Sequence, residues 1–579
     1  MNASLRYAEL LADKIIQQAK TDENGQLYWE IERLNESDLQ PEIIVSEDLY
    51  KGNAGVAFFL YYLQQAIPDK KLSEMVKTIR LWPEKAPDQL YKGLYNGYYG
   101  NAYVSLLIDP QNKRALEFIM ADSELHTHGY DVISGHCGCI LALLLILRDI
   151  NLTIEIQQLI LKKIGTHTAQ LLRFVSVYDN HIVINRPDFE NWTGYSHGQQ
   201  GAIYTLQLLA AFFESPVLLN LAQSIAFFEE DTYAPELNNY PDLRSRIRHR
   251  DDFTALSWQD LKPIRENDLI EMHAWCHGLP GIAAAQAQIG QDDVDSNESI
   301  QRNGQIMGKM LPELLNDDRK CLCHGTTGNL DYFLNSSDRE HAFLPPELLE
   351  SVFLETANDP EINGSIVPYD CGLMCGLSGI GYFFLRYSDP KRFRSVLAPL
   401  CLSEIRELRE KLNPSDQSFE ELVNHSELSD LQKTIFEQVK HTPIKRFIPT
   451  EDILIWEVRK TTFRSDFDLD YRKLHLHVLA SNVDLLEQEA NPLDFQFVVQ
   501  NNFILNPSGN SIFFFLKEGF HEIVVSETEI AILSEANKLQ TIGFSYFRKW
   551  IDAIDICQPF VLQLVHLGFF KLEKPAHSA

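Results

Sequence analysis

A Gly-x-x-Gly turn followed by an apolar run occurs seven times before residue 400, and no other feature of the chain narrows its possible folds as far. The copies are Gly52-Asn53-Ala54-Gly55, Gly97-Tyr98-Tyr99-Gly100, Gly135-His136-Cys137-Gly138, Gly198-Gln199-Gln200-Gly201, Gly278-Leu279-Pro280-Gly281, Gly325-Thr326-Thr327-Gly328 and Gly376-Leu377-Ser378-Gly379. Helix-forming sequence follows each, for example Val56-Ala57-Phe58-Phe59-Leu60 and Ile140-Leu141-Ala142-Leu143-Leu144. Each glycine pair therefore predicts a tight backbone turn into a helix N-terminus. One copy alone would be a capping turn; seven predict seven similar helices.

The spacing between copies, roughly 40 to 80 residues, leaves room for one further helix per repeat, as in a helical-hairpin array. If the ends of the array meet, it becomes a closed double ring of inner and outer helices. Residues just ahead of each Gly-x-x-Gly then gather at one end of the ring, where side chains distant in sequence share one site.

Composition agrees with a large helical protein. The chain has 579 residues, 45% of them hydrophobic, enough for one big domain and a smaller one. Its longest apolar run, Cys139 to Leu147, is too short to cross a bilayer. Met1 to Lys20 carries Arg6, Asp13, Lys14 and Lys20 among apolar positions, which predicts an amphipathic opening helix rather than a signal peptide. A cytoplasmic protein, not an integral membrane protein, is expected. The formal net charge of −30 weighs against nucleic acid or an anionic membrane as main partner and favours a cationic or neutral one. Acidity that serves solubility alone stays open.

Nine cysteines in this length are sparse and odd in number, so reduced thiols, some of them metal-bound, fit better than a disulfide framework. Three turns, Tyr195-Ser196-His197-Gly198, Trp275-Cys276-His277-Gly278 and Cys321-Leu322-Cys323-His324-Gly325, bring soft ligands and a spare histidine. Cys276, Cys323 and His324 supply three ligands for Zn2+, and three ligands with an open fourth position are the mark of a catalytic zinc. His277, Cys321 and Cys375 compete for the same role. The remaining cysteines, Cys137, Cys139, Cys371, Cys401 and Cys557, read as small buried apolar residues.

The segments Tyr130-Asp131-Val132-Ile133-Ser134-Gly135, Ser196-His197-Gly198, Trp275-Cys276-His277-Gly278, Cys323-His324-Gly325 and Gly372-Leu373-Met374-Cys375-Gly376-Leu377-Ser378-Gly379-Ile380-Gly381-Tyr382 together resemble the ordered motif set of the lanthionine synthetase C-like family. The resemblance spans about residues 1 to 410. It implies a mainly α fold, an α/α toroid of seven inner and seven outer helices. It also implies one zinc ion that activates cysteine thiols of a precursor peptide for addition to dehydroalanine or dehydrobutyrine. By position, the zinc ligands fall on Cys276, Cys323 and His324, the acid/base histidine on His197 and the motif aspartate on Asp131. Two positions depart from some cyclases: Met272 stands where they carry arginine, and His277 where they carry tyrosine. The Trp-Cys-His-Gly form resembles instead the eukaryotic-type relatives and the cyclase domains of bifunctional synthetases.

The residues support this chemistry independently. A free thiol, with a pKa of about 8.5, is a poor nucleophile at neutral pH, while a zinc-bound thiol is deprotonated. Thiolate addition to an α,β-unsaturated amide builds enolate charge that needs a proton at the α-carbon, and histidine is suited to deliver it. Asp131 either orients a histidine or caps the turn at Ser134-Gly135. His277 is either a second acid/base group or a structural partner of a neighbouring carbonyl.

After Glu410 the texture changes. Residues 411–446 read as a linker or bridging helices. From Phe447 to Ala579, β-rich runs such as Phe495-Gln496-Phe497-Val498-Val499 and Ile512-Phe513-Phe514-Phe515-Leu516 precede helical patterns and a closing apolar run. This predicts a C-terminal α+β domain, winged-helix-like in texture, for precursor-peptide recognition or as a structural appendage.

Three function classes follow. One is a zinc-dependent cyclase acting on a dehydrated precursor peptide, with dehydration done by a separate dehydratase, since no such segment is visible. Another is a related enzyme joining glutathione to dehydrated residues. The third is a zinc-stabilised scaffold without chemistry, for which Met272 is the one hint.

Overall fold

The computed structural model describes residues 3–34, 41–83, 92–121, 129–178, 181–184, 193–241, 272–290, 298–314, 319–335, 370–412 and 428–447, and short strands between 457 and 573. Seven helices begin at the residue immediately after the first glycine of each turn: α2 (Asn53–Ala66), α4 (Tyr98–Ile108), α6 (His136–Asp149), α8 (Gln199–Phe213), α10 (Leu279–Ile289), α12 (Thr326–Asn335) and α13 (Leu377–Ser388). Each packs on the next in this order, and α13 packs back on α2. The inner ring is therefore closed.

Outside it lie α1 (Ala3–Gln17) on α13, α3 (Lys70–Val76) on α2, α5 (Lys113–Met120) on α4, α7 (Ile154–Leu172) on α6, α9 (Pro216–Asp231) on α8 and α11 (Glu298–Leu314) on α10. Those six outer helices are the ones among the described residues; the segment after α12 lies outside them. The two layers differ in sequence as their positions demand. α6 is buried without a break from His136 to Leu147, as a helix covered on all sides must be. α1 buries Ala8, Leu11, Ala12 and Ile15, a one-sided stripe at helical spacing.

The glycines serve a different need from the one expected of them. Among the first glycines of the seven turns, only Gly278 has a positive φ, at 94°. The second glycine of every turn instead lies against the carbonyl oxygen of the residue six positions earlier, Leu49, Leu94, Val132, Tyr195, Trp275, Leu322 and Leu373 in turn, so that any Cβ there would overlap it. Close approach, more than backbone freedom, requires glycine.

The lumen is filled by the chain itself. Residues 394–400 run through it, and the inner helices and their turns bind its carbonyls: Tyr204 Oη donates to Leu400 O (2.6 Å), Trp275 Nε1 to Leu397 O (2.9 Å) and Tyr382 Oη to Arg394 O (2.8 Å), with Tyr95 Oη on Val396 O. α14 (Leu402–Leu412) then packs on α8 and α6, and α15 (Asp430–Val439) on α9. Beside this segment, Arg386 and Asp331, each 1% exposed, form an ion pair. Arg386 also donates to Phe393 O (2.8 Å) and Asn335 Oδ1 (2.7 Å), and Ser395 Oγ donates to Asp331. Asp331→Ala leaves a buried guanidinium unbalanced and should cost about 3–5 kcal/mol, read by denaturant unfolding; a loss below about 1 kcal/mol would show that the pair does not hold the segment in place.

Short strands join the N-terminal helices: β1 (Lys20–Thr21) pairs with β2 (Leu27–Tyr28) around a turn with Gly25 at φ 77°, β3 (Glu30–Leu34) with β4 (Pro41–Val45), and β5 (Val175–Tyr178) with β6 (His181–Ile184). The chain divides into two compact units. The first comprises residues 1–175, 191–242 and 270–445, and the second 176–190, 243–269 and 446–579. The first unit thus extends through α15 to Lys445.

Besides β6 and all of β5 but Val175, the second unit contains β7 (Glu457–Val458), β8 (Gln496–Val499), β9 (Phe503–Leu505), β10 (Ser511–Leu516), β11 (Gly519–Val524), β12 (Thr541–Gly543) and β13 (Phe570–Glu573); β7 to β13 make up its two larger sheets. They form a four-stranded sheet of order β7-β11-β10-β9 and a three-stranded sheet of order β12-β8-β13. β10 and β11 make an antiparallel hairpin, from Ser511 opposite Val524 to Leu516 opposite Gly519. The helical runs on which the winged-helix expectation rests lie outside the described residues. No helix among the described residues is long and apolar enough to cross a membrane.

Candidate active site

The seven turns are tied to one another by a closed circuit of backbone hydrogen bonds. Tyr50 N–H donates to Tyr95 O (3.0 Å), Tyr95 to Ile133 O (3.2 Å), Val132 to Ser196 O (3.1 Å) and Ser196 to Cys276 O (3.4 Å). Cys276 then donates to Cys323 O (3.2 Å), Cys323 to Met374 O (2.8 Å) and Met374 to Tyr50 O (2.8 Å). The carbonyls that accept all belong to the position two before the first glycine, and so do all the donors but Val132. One rim position of each repeat, occupied by Tyr50, Tyr95, Ile133, Ser196, Cys276, Cys323 and Met374, therefore faces its counterparts next door. The following position holds Lys51, Asn96, Ser134, His197, His277, His324 and Cys375.

This register places Cys276 and Cys323 side by side, and their thiols are in hydrogen-bonding contact. Cys375, from the next turn, makes the same kind of contact with Cys323 and with Cys321, and feels the charge of His324 and Lys51. The thiols share their ionisation: hydrogen bonds from Cys321 and Cys323 favour the Cys375 thiolate, while the bonds Cys323 makes to Cys276 and Cys375, together with burial, hold the Cys323 thiol well above its usual range. Tyr50 Oη donates to Cys323 Sγ at 2.8 Å. Burial of that phenol, and next the charge of the thiols, push its pKa far up, so it stays a donor.

Among the described residues no three His, Cys, Asp or Glu side chains stand in an arrangement ready to hold a metal ion. The donor chemistry nonetheless fits zinc: contacting thiols from adjacent turns, with an imidazole next to one of them in the chain.

One turn away, the two readings of Asp131 hold together on different oxygens. Oδ1 accepts the N–H groups of Ser134 (2.8 Å) and Gly135 (2.9 Å), capping the turn, and Oδ2 lies 2.9 Å from His197 Nδ1. Asp131 is 1% exposed and His197 28%, so the carboxylate is enclosed while the imidazole reaches solvent. With Nδ1–H directed to the carboxylate, the tautomer and orientation of the ring are set. Tyr130 Oη also donates to His197 O (3.1 Å). The turn is joined to the thiol pair by Ser196, whose Oγ donates to Cys276 O (3.1 Å). His277 is buried, its ring 5.8 Å from that of His197 and inclined by 17°. It stacks behind the half-buried His197.

Met272, where some cyclases carry arginine, serves here through its backbone: its carbonyl accepts Asn239 Nδ2 (3.3 Å), while Asn239 Oδ1 accepts Leu279 N–H (2.8 Å) at the start of α10. Of the cysteines expected to be buried and apolar, Cys137, Cys139 and Cys371 are buried. Cys401 is only partly buried, with Sγ 3.1 Å from the Ser403 hydroxyl, because it opens α14 where that helix leaves the lumen. Cys557 lies outside the described residues.

Two contributors escaped the reading of sequence. Tyr50 was findable, since aligning the repeats on their first glycine puts it in the register of Cys276 and Cys323. Glu229 was not, for it opens the acidic run Glu229-Glu230-Asp231, which reads as the solvated end of α9. Its carboxyl accepts Gly194 N–H (3.0 Å) and the Gln200 N–H, gripping the His197 turn on both sides, and burial pushes its pKa up to about 8. Between the ordinary value of 4.5 and about 8 the folded chain keeps a proton that the unfolded chain has released, so stability falls as pH rises through that window. The fall should be of order 5 kcal/mol and should largely vanish in Glu229→Gln, as checked by denaturant unfolding at pH values near both ends. An equal pH slope in both proteins would refute the assignment.

A family model described as lanthionine synthetase C-like protein matches residues 43–398. The lacticin 481/lactococcin biosynthesis protein LcnDR2 of Lactococcus lactis subsp. lactis is 28% identical over 158 residues, 24% of this chain and 17% of that protein, so the chain spans less than a fifth of this relative's length. The solved structure of a nisin cyclase aligns over 62% of this chain and 92% of its own, at 18% identity and a TM-score of 0.40.

Proposed function

Since the chain belongs to the lanthionine synthetase C-like family, we propose that it is a zinc-dependent peptide cyclase, joining cysteine thiols of a ribosomally made peptide to its dehydroalanine or dehydrobutyrine residues as thioether rings. The observation that carries this reading is the placement of the Asp131–His197 pair one turn from the Cys276–Cys323 thiols, the two linked through Ser196.

Cys276, Cys323 and His324 are the residues that would hold the zinc. When bound, the metal would supply deprotonation of an incoming thiol at neutral pH. The chain's own groups account for the rest. Sulfur adds at the β-carbon, the π pair moves toward the amide, and one proton must arrive at the α-carbon; no oxidant or reductant is consumed. His197 Nε2 is the group that delivers the proton, and Asp131 Oδ2, at 2.9 Å from Nδ1, keeps the ring oriented. His277, flat behind it, limits rotation of the ring. The closed backbone circuit holds these groups in fixed register, as a site that gains rate from positioning requires. Dehydrated residues would come from a separate dehydratase.

A test that separates this reading from glutathione addition offers the purified protein a peptide carrying both a dehydroalanine and a cysteine, in the presence of glutathione. Loss of the free cysteine without change of mass is expected. A glutathione adduct as main product would point to the other enzyme class, and unmodified peptide to a scaffold.

A further inference from the structure

A cleft of about 980 Å³ lies between the α8–α9 hairpin and the α10–α11 hairpin, reaching the Gly198–Gly201 turn at Gln200, with α14 also lining it. Gln200 and Glu214, which line it, mark the two ends of α8, so at 1.5 Å per residue it runs for roughly 20 Å. A glutathione-sized thiol would leave much of that length empty. About six residues of extended polypeptide would fill it.

Its lining has the chemistry of a peptide site. Four glutamines, Gln200, Gln207, Gln223 and Gln286, offer paired donors and acceptors suited to backbone amides. Gln200 is only 2% exposed, and its Nε2 is buried without an acceptor, a donor that a small side-chain movement would offer to a ligand carbonyl. Leu219, a large apolar residue 41% exposed, adds an unfilled contact. Five glutamates line the cleft against two arginines; with Glu229 holding its proton up to about pH 8, four of them carry charge near neutral pH. Glu214 is bridged by Arg409 and Glu230 by Arg302, while Glu298 and Glu410 are exposed at the margin. Phe227, another lining residue, has Lys445 Nζ 6.0 Å from its ring, the outer reach of a cation over an aromatic face.

We propose that this cleft seats a lysine- or arginine-bearing segment of the substrate polypeptide, outside the residues being cyclised. The assignment of a polypeptide substrate rests on the cyclase reading; the binding chemistry rests on the cleft. Occupancy here would hold the substrate beside the His197 turn, because Glu229, in the cleft floor, grips both Gly194 and Gln200.

The probe is a short fluorescein-labelled peptide of alternating lysine and alanine, with its glutamate counterpart as control, titrated by anisotropy against the full chain. The lysine peptide should bind and the glutamate peptide should not. Glu298→Lys combined with Glu410→Lys should weaken binding about tenfold, while Glu74→Lys with Glu117→Lys, the same change of charge on α3 and α5, should stay within about twofold. Equal weakening by both pairs would mean diffuse attraction to an acidic protein and overturn the proposal, as would no weakening by the first pair. Thiol addition to a short dehydrated peptide without basic residues should be unchanged in the Glu298/Glu410 variant. Absence of that reaction in the unaltered protein would count against the cyclase reading and leave the binding result standing.

Discussion

Replacing His197 with asparagine should slow thioether formation by roughly 10²–10⁴, with fold and metal content unchanged. The imidazole is the group near the thiol pair that combines a buried carboxylate partner with access to solvent, Asp131 Oδ2 being 2.9 Å from its Nδ1. Asparagine cannot move a proton near neutral pH. It also leaves intact the bonds that shape the turn, since Ser134 and Gly135 donate to the other oxygen of Asp131, and Tyr130 to the His197 carbonyl. Asp131→Asn should give a loss of the same kind, because its Oδ1 still caps the turn while the histidine loses its charged partner. Rates on a dehydrated peptide, taken with zinc content and circular dichroism, check both. Loss of metal in the His197 variant would make that residue a ligand.

Cys276→Ala and Cys323→Ala should each release the zinc and abolish thiol addition. A three-ligand site stripped to two keeps little of its affinity. The two thiols occupy the same rim position of adjacent repeats, tied by the Cys276 N–H to Cys323 O bond, so each replacement removes a ligand without disturbing the backbone circuit. Cys375, in contact with Cys323, is the informative companion: its replacement should leave zinc bound. Elemental analysis of the three variants decides. If Cys375→Ala loses metal and Cys276→Ala does not, the ligand set is Cys323 with Cys375.

The ring was legible because its repeats announce themselves. Seven glycine pairs mark seven helix starts to the residue, and the two positions just before the first glycine, Cys276 and Cys323 at one and His197 at the next, fall at one rim before any coordinates are known. What lay beyond reach depended on tertiary packing. The second glycines looked like conformational devices, and the carbonyl six residues back that excludes a Cβ is not a property of local sequence. The lumen-filling segment, Val396-Leu397-Ala398-Pro399-Leu400, is an ordinary apolar run until Tyr204 and Trp275 are seen to bind its carbonyls. Glu229 sits in Phe227-Phe228-Glu229-Glu230, and which of two adjacent glutamates turns inward is settled by how α9 meets α8. Asp131 was read as either cap or histidine partner; a carboxylate has two oxygens and does both.

The central claim is tested most directly by incubating the zinc-loaded protein with a peptide containing one dehydroalanine and one cysteine, then alkylating residual thiols and weighing the product. The account predicts a peptide of unchanged mass that no longer takes up alkylating reagent, with the conversion lost on chelation and restored by added zinc. A peptide that remains fully alkylatable with zinc-loaded protein, or one cyclised equally well after the metal is removed, would contradict it.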